Sequence, residues 1–133
     1  MIHCPDDLPR PLQILVGRSL RLCEMILPHT KVLYPFAAIY EAGRVGCLFS
    51  DESVKVESER QLIEQLQWRI IDTTTHTTSY SVLVYAVTVQ TQTNKQIDAI
   101  AINASPPDDE ETMLLYPFFR IGHRIVLSPP IHG

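Results

Sequence analysis

Between Tyr80 and Thr93 the chain keeps no polar side in reserve: Val82, Val84 and Ala86 fall on one side of an alternating pattern, and Leu83, Tyr85, Val87 and Val89 on the other. A strand apolar on both sides belongs in the middle of a sheet that is covered above and below. Any fold for this chain must provide both covers. The far half of the segment, Gln90-Thr91-Gln92-Thr93, turns polar and projects toward water. Asn94-Lys95 then supplies a two-residue turn signal, and Gln96 to Ala104 returns with Ile97, Ala99 and Ala101 set against Ile100 and Ile102. The spacing predicts a hairpin.

Upstream, Leu12, Leu15, Val16, Leu20, Cys23 and Leu27 follow three- and four-residue steps on one helical stripe, widened by Ile14, Leu22 and Met25. Arg18, Arg21 and Glu24 are left for solvent. Pro11 suits the first turn of this helix, where a missing N–H costs nothing, and Pro28 ends it. Val32 to Tyr40 and Val45 to Phe49 read as a second hairpin around Glu41-Ala42-Gly43-Arg44, with Gly43 supplying a positive φ. After the acidic stretch from Ser50 to Glu59, Ser58 and Gln61 form a capping-box pattern that opens a second helix. Leu62, Ile63, Leu66 and Ile70 mark its apolar stripe, with Trp68 off it. Thr73 to Ser79 is a threonine-rich loop, Pro106 to Glu111 an acidic turn, Met113 to Phe119 a further strand, and Ile121 to Leu127 a short one after a kink at Gly122. The order α-β-β-α-β-β-β predicts an α+β domain: a single, mainly antiparallel sheet of about five or six strands with two helices packed on one face. The other face would then carry an apolar patch too large for a monomer. A homo-oligomer, with a dimer favoured, is the expected consequence.

The 133 residues fit one domain over 1–133, with 1–10 and 128–133 expected to be less ordered. No run approaches the roughly 20 apolar residues of a membrane-spanning helix, and the net charge of −4 provides no general field for phosphate backbones. Neither a membrane nor a nucleic acid is expected as a partner. Cys4, Cys23 and Cys47 are odd in number and lack CxxC spacing, which disfavours a disulfide framework or a cysteine-rich zinc site. With no basic stretch leading into an apolar core at Met1 to Asp7, the expected location is cytoplasmic.

Catalytic signatures are absent from this reading. Cys47, His123 and Asp98 are the residues that could form a nucleophile, a base and its orienter, and together they define the alternative reading, a small cytoplasmic enzyme. Cys47 and Cys23 are nonetheless expected to be packed, as most free cysteines are. His3, His29, His76, His123 and His132 show no metal-binding spacing, so neither a metal nor another cofactor is expected. His123, flanked by Arg120 and Arg124, makes that segment locally basic.

The tetrapeptide Leu33-Tyr34-Pro35-Phe36 returns as Leu115-Tyr116-Pro117-Phe118. Because proline cannot donate to a ladder, both copies are expected where strands begin. Tyr34, Phe36, Tyr116 and Phe118, with Arg120, His123 and Trp68, form the candidate pocket or interface, since aromatic side chains with polar tips favour such places. The helix followed by the Tyr-Pro-Phe strand and glycine hairpin of Leu33 to Gly46, then a second helix and a valine-rich strand whose partner carries Asp98-Ala99-Ile100, resembles small uncharacterised bacterial α+β proteins. Some of these are carried on mobile gene cassettes. The resemblance spans about Leu12 to Phe118 and implies no activity. The expected function is therefore a non-enzymatic interaction or small-ligand-binding domain that self-associates, with a small ligand or a protein as its partner.

Overall fold

The computed structural model of the chain describes residues 5, 7–30, 33–49, 59–73, 79–107 and 110–132. Helix α1 (Arg10–Ile26) leads through a 3₁₀ turn, Leu27–His29, to strands β1 (Phe36–Glu41) and β2 (Arg44–Phe49). Helix α2 (Glu59–Thr73) follows, and then β3 (Tyr80–Gln90), β4 (Gln96–Ser105), β5 (Thr112–Ile121), β6 (Arg124–Leu127) and the short β7 (Ile131–His132). Every pairing is antiparallel, in the order β2-β1-β3-β4-β5-β6, with β7 also on β5. This is the expected α+β domain with one antiparallel sheet. β3 and β4 lie at its centre, as the two-sided apolarity of Val82 to Val89 requires. On the outer side of β5, Leu114 and Leu115 pair with His132 and Ile131.

One part of the expectation is corrected: the helices cover opposite faces. Phe36, Ala38, Val82, Val84, Ile100, Ile102, Leu114, Tyr116 and Phe118 pack with Leu12, Leu15, Val16, Leu20 and Cys23 of α1. Ala37 and Leu83, their neighbours in sequence and so on the other side of the pleat, pack with Leu66 of α2. Leu62 is also buried, while Ile63 and Ile70 are half-buried as the α2 stripe predicts. Met25, expected to widen the α1 stripe, is exposed because it follows Arg18 and Arg21 in helical steps on the wet side. Ser58 of the capping pattern, and most of the acidic stretch and of the threonine-rich loop, lie outside the described residues.

The turns explain the ladders they join. Glu41 pairs with Arg44, so Ala42 and Gly43 form a two-residue loop, with φ of 53° and 77°. Positive φ at both positions is the backbone twist that joins antiparallel strands tightly. The β5–β6 connection, expected as a kink, is a second tight hairpin: Ile121 pairs with Arg124, and Gly122 has φ of 62°. Between β3 and β4 the two-residue turn at Asn94-Lys95 is not formed. Gln90 pairs with Gln96, leaving 91–95 as the loop; Thr91 N–H donates to Lys95 O over 2.8 Å, and Asn94, φ 60°, supplies the left-handed residue.

The repeated tetrapeptide serves two different ends. Pro35 directly precedes β1, as expected, but Pro117 lies inside β5, opposite Ala99 of β4. Ser128 N–H donates to Pro117 O over 2.8 Å on the outer side of β5. In an antiparallel ladder a residue's N–H and C=O point the same way, so the missing donor also faces outward. There β5 changes partner from β7 to β6, and no ladder bond is lost.

Candidate functional site

Among the described residues, clefts open on both faces of the sheet. The first opens on the far face, the one covered by α2. Gln67, Trp68 and Ile70 of α2 face Ser81 and Leu83 of β3, Asn103 and Ser105 of β4, and Glu111 across a space of about 470 Å³. The alternation of β3 and β4 sets Ser81, Leu83, Asn103 and Ser105 on one side of the pleat, and Leu83 provides an apolar floor. Asn103 Nδ2 donates to Glu111 Oε2 over 3.0 Å, which fixes one wall. Trp68 stands at the rim with 66% of its surface exposed. Among the described lining residues the groups are amide, hydroxyl and carboxylate around an apolar base.

The second cleft, about 480 Å³, lies beyond the end of α1 and is lined by Leu27, Leu33, Ala86, Val87, Thr88, Asp98, Phe118 and Arg120. Its cation is already engaged. Arg120 Nη1 donates to Leu27 O over 2.5 Å and Nη2 to Thr30 O over 3.0 Å, with the guanidinium 5.9 Å from the Phe118 ring centroid. Carbonyls at a helix C-terminus carry partial negative charge, so the arginine satisfies them and ties α1 to β5.

The structure divides the candidate set. Phe36, Tyr116 and Phe118 are buried in the α1-side core, Tyr34 is exposed before β1, His123 is exposed at the β5–β6 turn, Arg120 closes the α1 end, and Trp68 lines the α2 cleft. Phe36 instead meets Phe49 with ring centroids 5.9 Å apart, and Tyr40 meets Tyr80 edge-on at 6.4 Å. Nothing in the sequence signals Gln67 or Asn103, and Glu111 stands there only as part of the acidic turn. Folding brings the three together beside Trp68, which lies off the α2 stripe.

Cys47, His123 and Asp98 do not converge. Cys47 lies on the edge strand β2, three strands from β4, and its row crosses β4 at Ala104, six residues along from Asp98. With strands about 4.8 Å apart and a rise of about 3.3 Å per residue, Cys47 and Asp98 stand roughly 25 Å apart. Cys47, expected to be packed, is exposed, because α1 lies over β1, β3 and β4 and leaves this edge uncovered. Cys23 is packed, and burial with a smaller push from Glu24 drives its thiol pKa up to about 12. Among the described residues no three His, Cys, Asp or Glu side chains gather as a metal site requires. No described helix is long and apolar enough to cross a membrane. Comparison with protein-family models, curated proteins and solved structures gives no match.

Proposed function

We propose that this chain is a non-enzymatic binding domain and that the cleft between α2 and the sheet holds a small polar molecule with one flat apolar face. The observation that carries this reading is the position of Trp68, a large aromatic left exposed beside an apolar floor and a ring of hydrogen-bonding groups. Ligand sites combine apolar walls with a few placed polar groups, and a volume in the range of 300–1,000 Å³ is usual for them. A sugar ring or a nucleoside base offers the matching pair of features, a face to stack on the indole and an edge to bond Gln67, Asn103 and Glu111. Glu111 is already held by Asn103, an arrangement suited to recognition. Free Cys23 and Cys47 support a reducing, cytoplasmic setting.

Because the chain has one tryptophan, its fluorescence reports on this cleft alone. Titration with monosaccharides and nucleosides is expected to give a saturable change in emission with one of the two classes, weakened by Asn103→Ala. A flat response to both at concentrations up to about 10 mM, weaker than the roughly millimolar binding that contributes about 4 kcal/mol, would remove the reading.

A further inference from the structure

The hydrogen bond between Asn103 and Glu111 sets the polarity of the cleft between α2 and the sheet. An amide can turn either end toward a neighbour, but a carboxylate accepts only, so the 3.0 Å bond from Asn103 Nδ2 to Glu111 Oε2 fixes the orientation of the asparagine. Its carbonyl end is turned away from the carboxylate. The pair therefore still offers two acceptors, Asn103 Oδ1 and the second carboxylate oxygen, Glu111 Oε1. The Ser81 and Ser105 hydroxyls and the Gln67 amide can each donate or accept, and they adapt to what they meet. Glu111 cannot adapt in this way. Whatever bonds it must bring donors.

Charge and shape narrow the class. Glu111 is the one formal charge among the described lining residues, and it is negative. Arg69, next to Trp68 on α2, spends its Nη1 on Phe49 O of β2. A phosphate or carboxylate in the cleft would meet a like charge with no cation among the described lining residues to offset it. Trp68, Ile70 and Leu83 around a space of about 470 Å³ suit a broad flat ring system rather than a small planar group. Sugar hydroxyls donate and accept alike, so they gain no preference from an acceptor pair. Among the nucleoside bases, guanine sets two N–H donors side by side, N1–H and N2–H. Adenine and cytosine place an acceptor next to their amino group, and uracil and hypoxanthine have no amino group.

We infer that the cleft takes an unphosphorylated guanine nucleoside, stacked on Trp68 and donating N1–H and N2–H to Glu111 and Asn103. This rests on the proposal that the cleft binds a small molecule, and it names which of the two ligand classes fits and by which edge.

Trp68 emission, excited beyond the absorption of the bases, is expected to change saturably with guanosine. Inosine, which keeps N1–H but lacks the amino group, should bind about tenfold more weakly, the scale of one hydrogen bond to a charged acceptor. Guanosine 5′-monophosphate should bind more weakly than guanosine at low salt, with the difference shrinking as salt screens its phosphate from Glu111. Glu111→Gln should cost guanosine about tenfold, cost inosine less, and lift the penalty on the monophosphate. Inosine or adenosine binding as tightly as guanosine, a monophosphate with no penalty at low salt, or a Glu111→Gln variant that keeps the full preference would overturn the inference while leaving the cleft a binding site. A response to monosaccharides alone would do the same. Silence toward nucleosides and sugars together would remove the binding proposal, and the inference with it. The comparison of guanosine with inosine on the unaltered chain decides even where the variant does not fold.

Discussion

Ser19 is the one buried side chain of the described structure whose oxygen has no hydrogen-bond partner. It sits in the middle of the stripe by which α1 meets the sheet, one helical turn before Cys23. The raised thiol pKa of Cys23 shows how dry this seam is, since burial there disfavours the charged form. A hydroxyl in such a place loses its water bonds and gains nothing in return. Ser19→Ala removes that burden and installs the best helix former, so it is expected to stabilise the fold by about 1 kcal/mol. Chemical denaturation of the two proteins checks this; a loss of stability would mean that the hydroxyl is satisfied. The helical period identified the Leu12 to Leu27 stripe, but an orphaned oxygen depends on neighbours far away in the chain. No local pattern reveals it.

Among the elements, those with local causes were legible in the sequence. The β1–β2 hairpin follows from Gly43, because glycine pays no steric penalty at φ of 77°. The β3–β4 ladder follows from matched alternation, but its loop does not: Asn94-Lys95 looks like a two-residue turn, and only the pairing of Gln90 with Gln96 shows that five residues are used. Pro117 is a similar case. Its place inside β5 depends on a change of outer partner that β5 itself does not encode. At the first hairpin, Ala42 holds a φ of 53°, where a β-carbon is unfavourable and asparagine is tolerated. Ala42→Asn is accordingly expected to add about 0.5–1 kcal/mol, the scale of relieving one left-handed alanine. Thermal unfolding measures it, and an unchanged midpoint would show that the turn is already relaxed.

For the molecule as a whole, the valine-rich strand disclosed that both faces need cover but not what supplies it. A stripe on a helix says that the helix packs, and never on which side of a sheet. The two helices divide the work unequally. The α1 side buries a continuous set from Leu8 to Phe118, whereas the cluster that α2 forms with the sheet is small: buried Ala37, Leu66 and Leu83, with Leu48, Ile63, Ile70 and Tyr85 partly covered. Arg69 Nη1, donating to Phe49 O over 2.6 Å, adds one polar tie from α2 to β2. Elements with few buried apolar contacts open in local transitions that spare the rest of the fold. Hydrogen exchange is therefore expected to show α2 amides exchanging through a smaller opening free energy than those of α1, β3 and β4. Leu66→Ala should widen this gap, because truncating a buried leucine costs about 2–5 kcal/mol and the only layer whose closed state it supports directly is α2. Leu15→Ala, in the α1 seam, should lower protection in both layers together. Equal opening free energies for α1 and α2 would show that the two faces unfold as one unit, and the view of α2 as the more loosely held cover would fail.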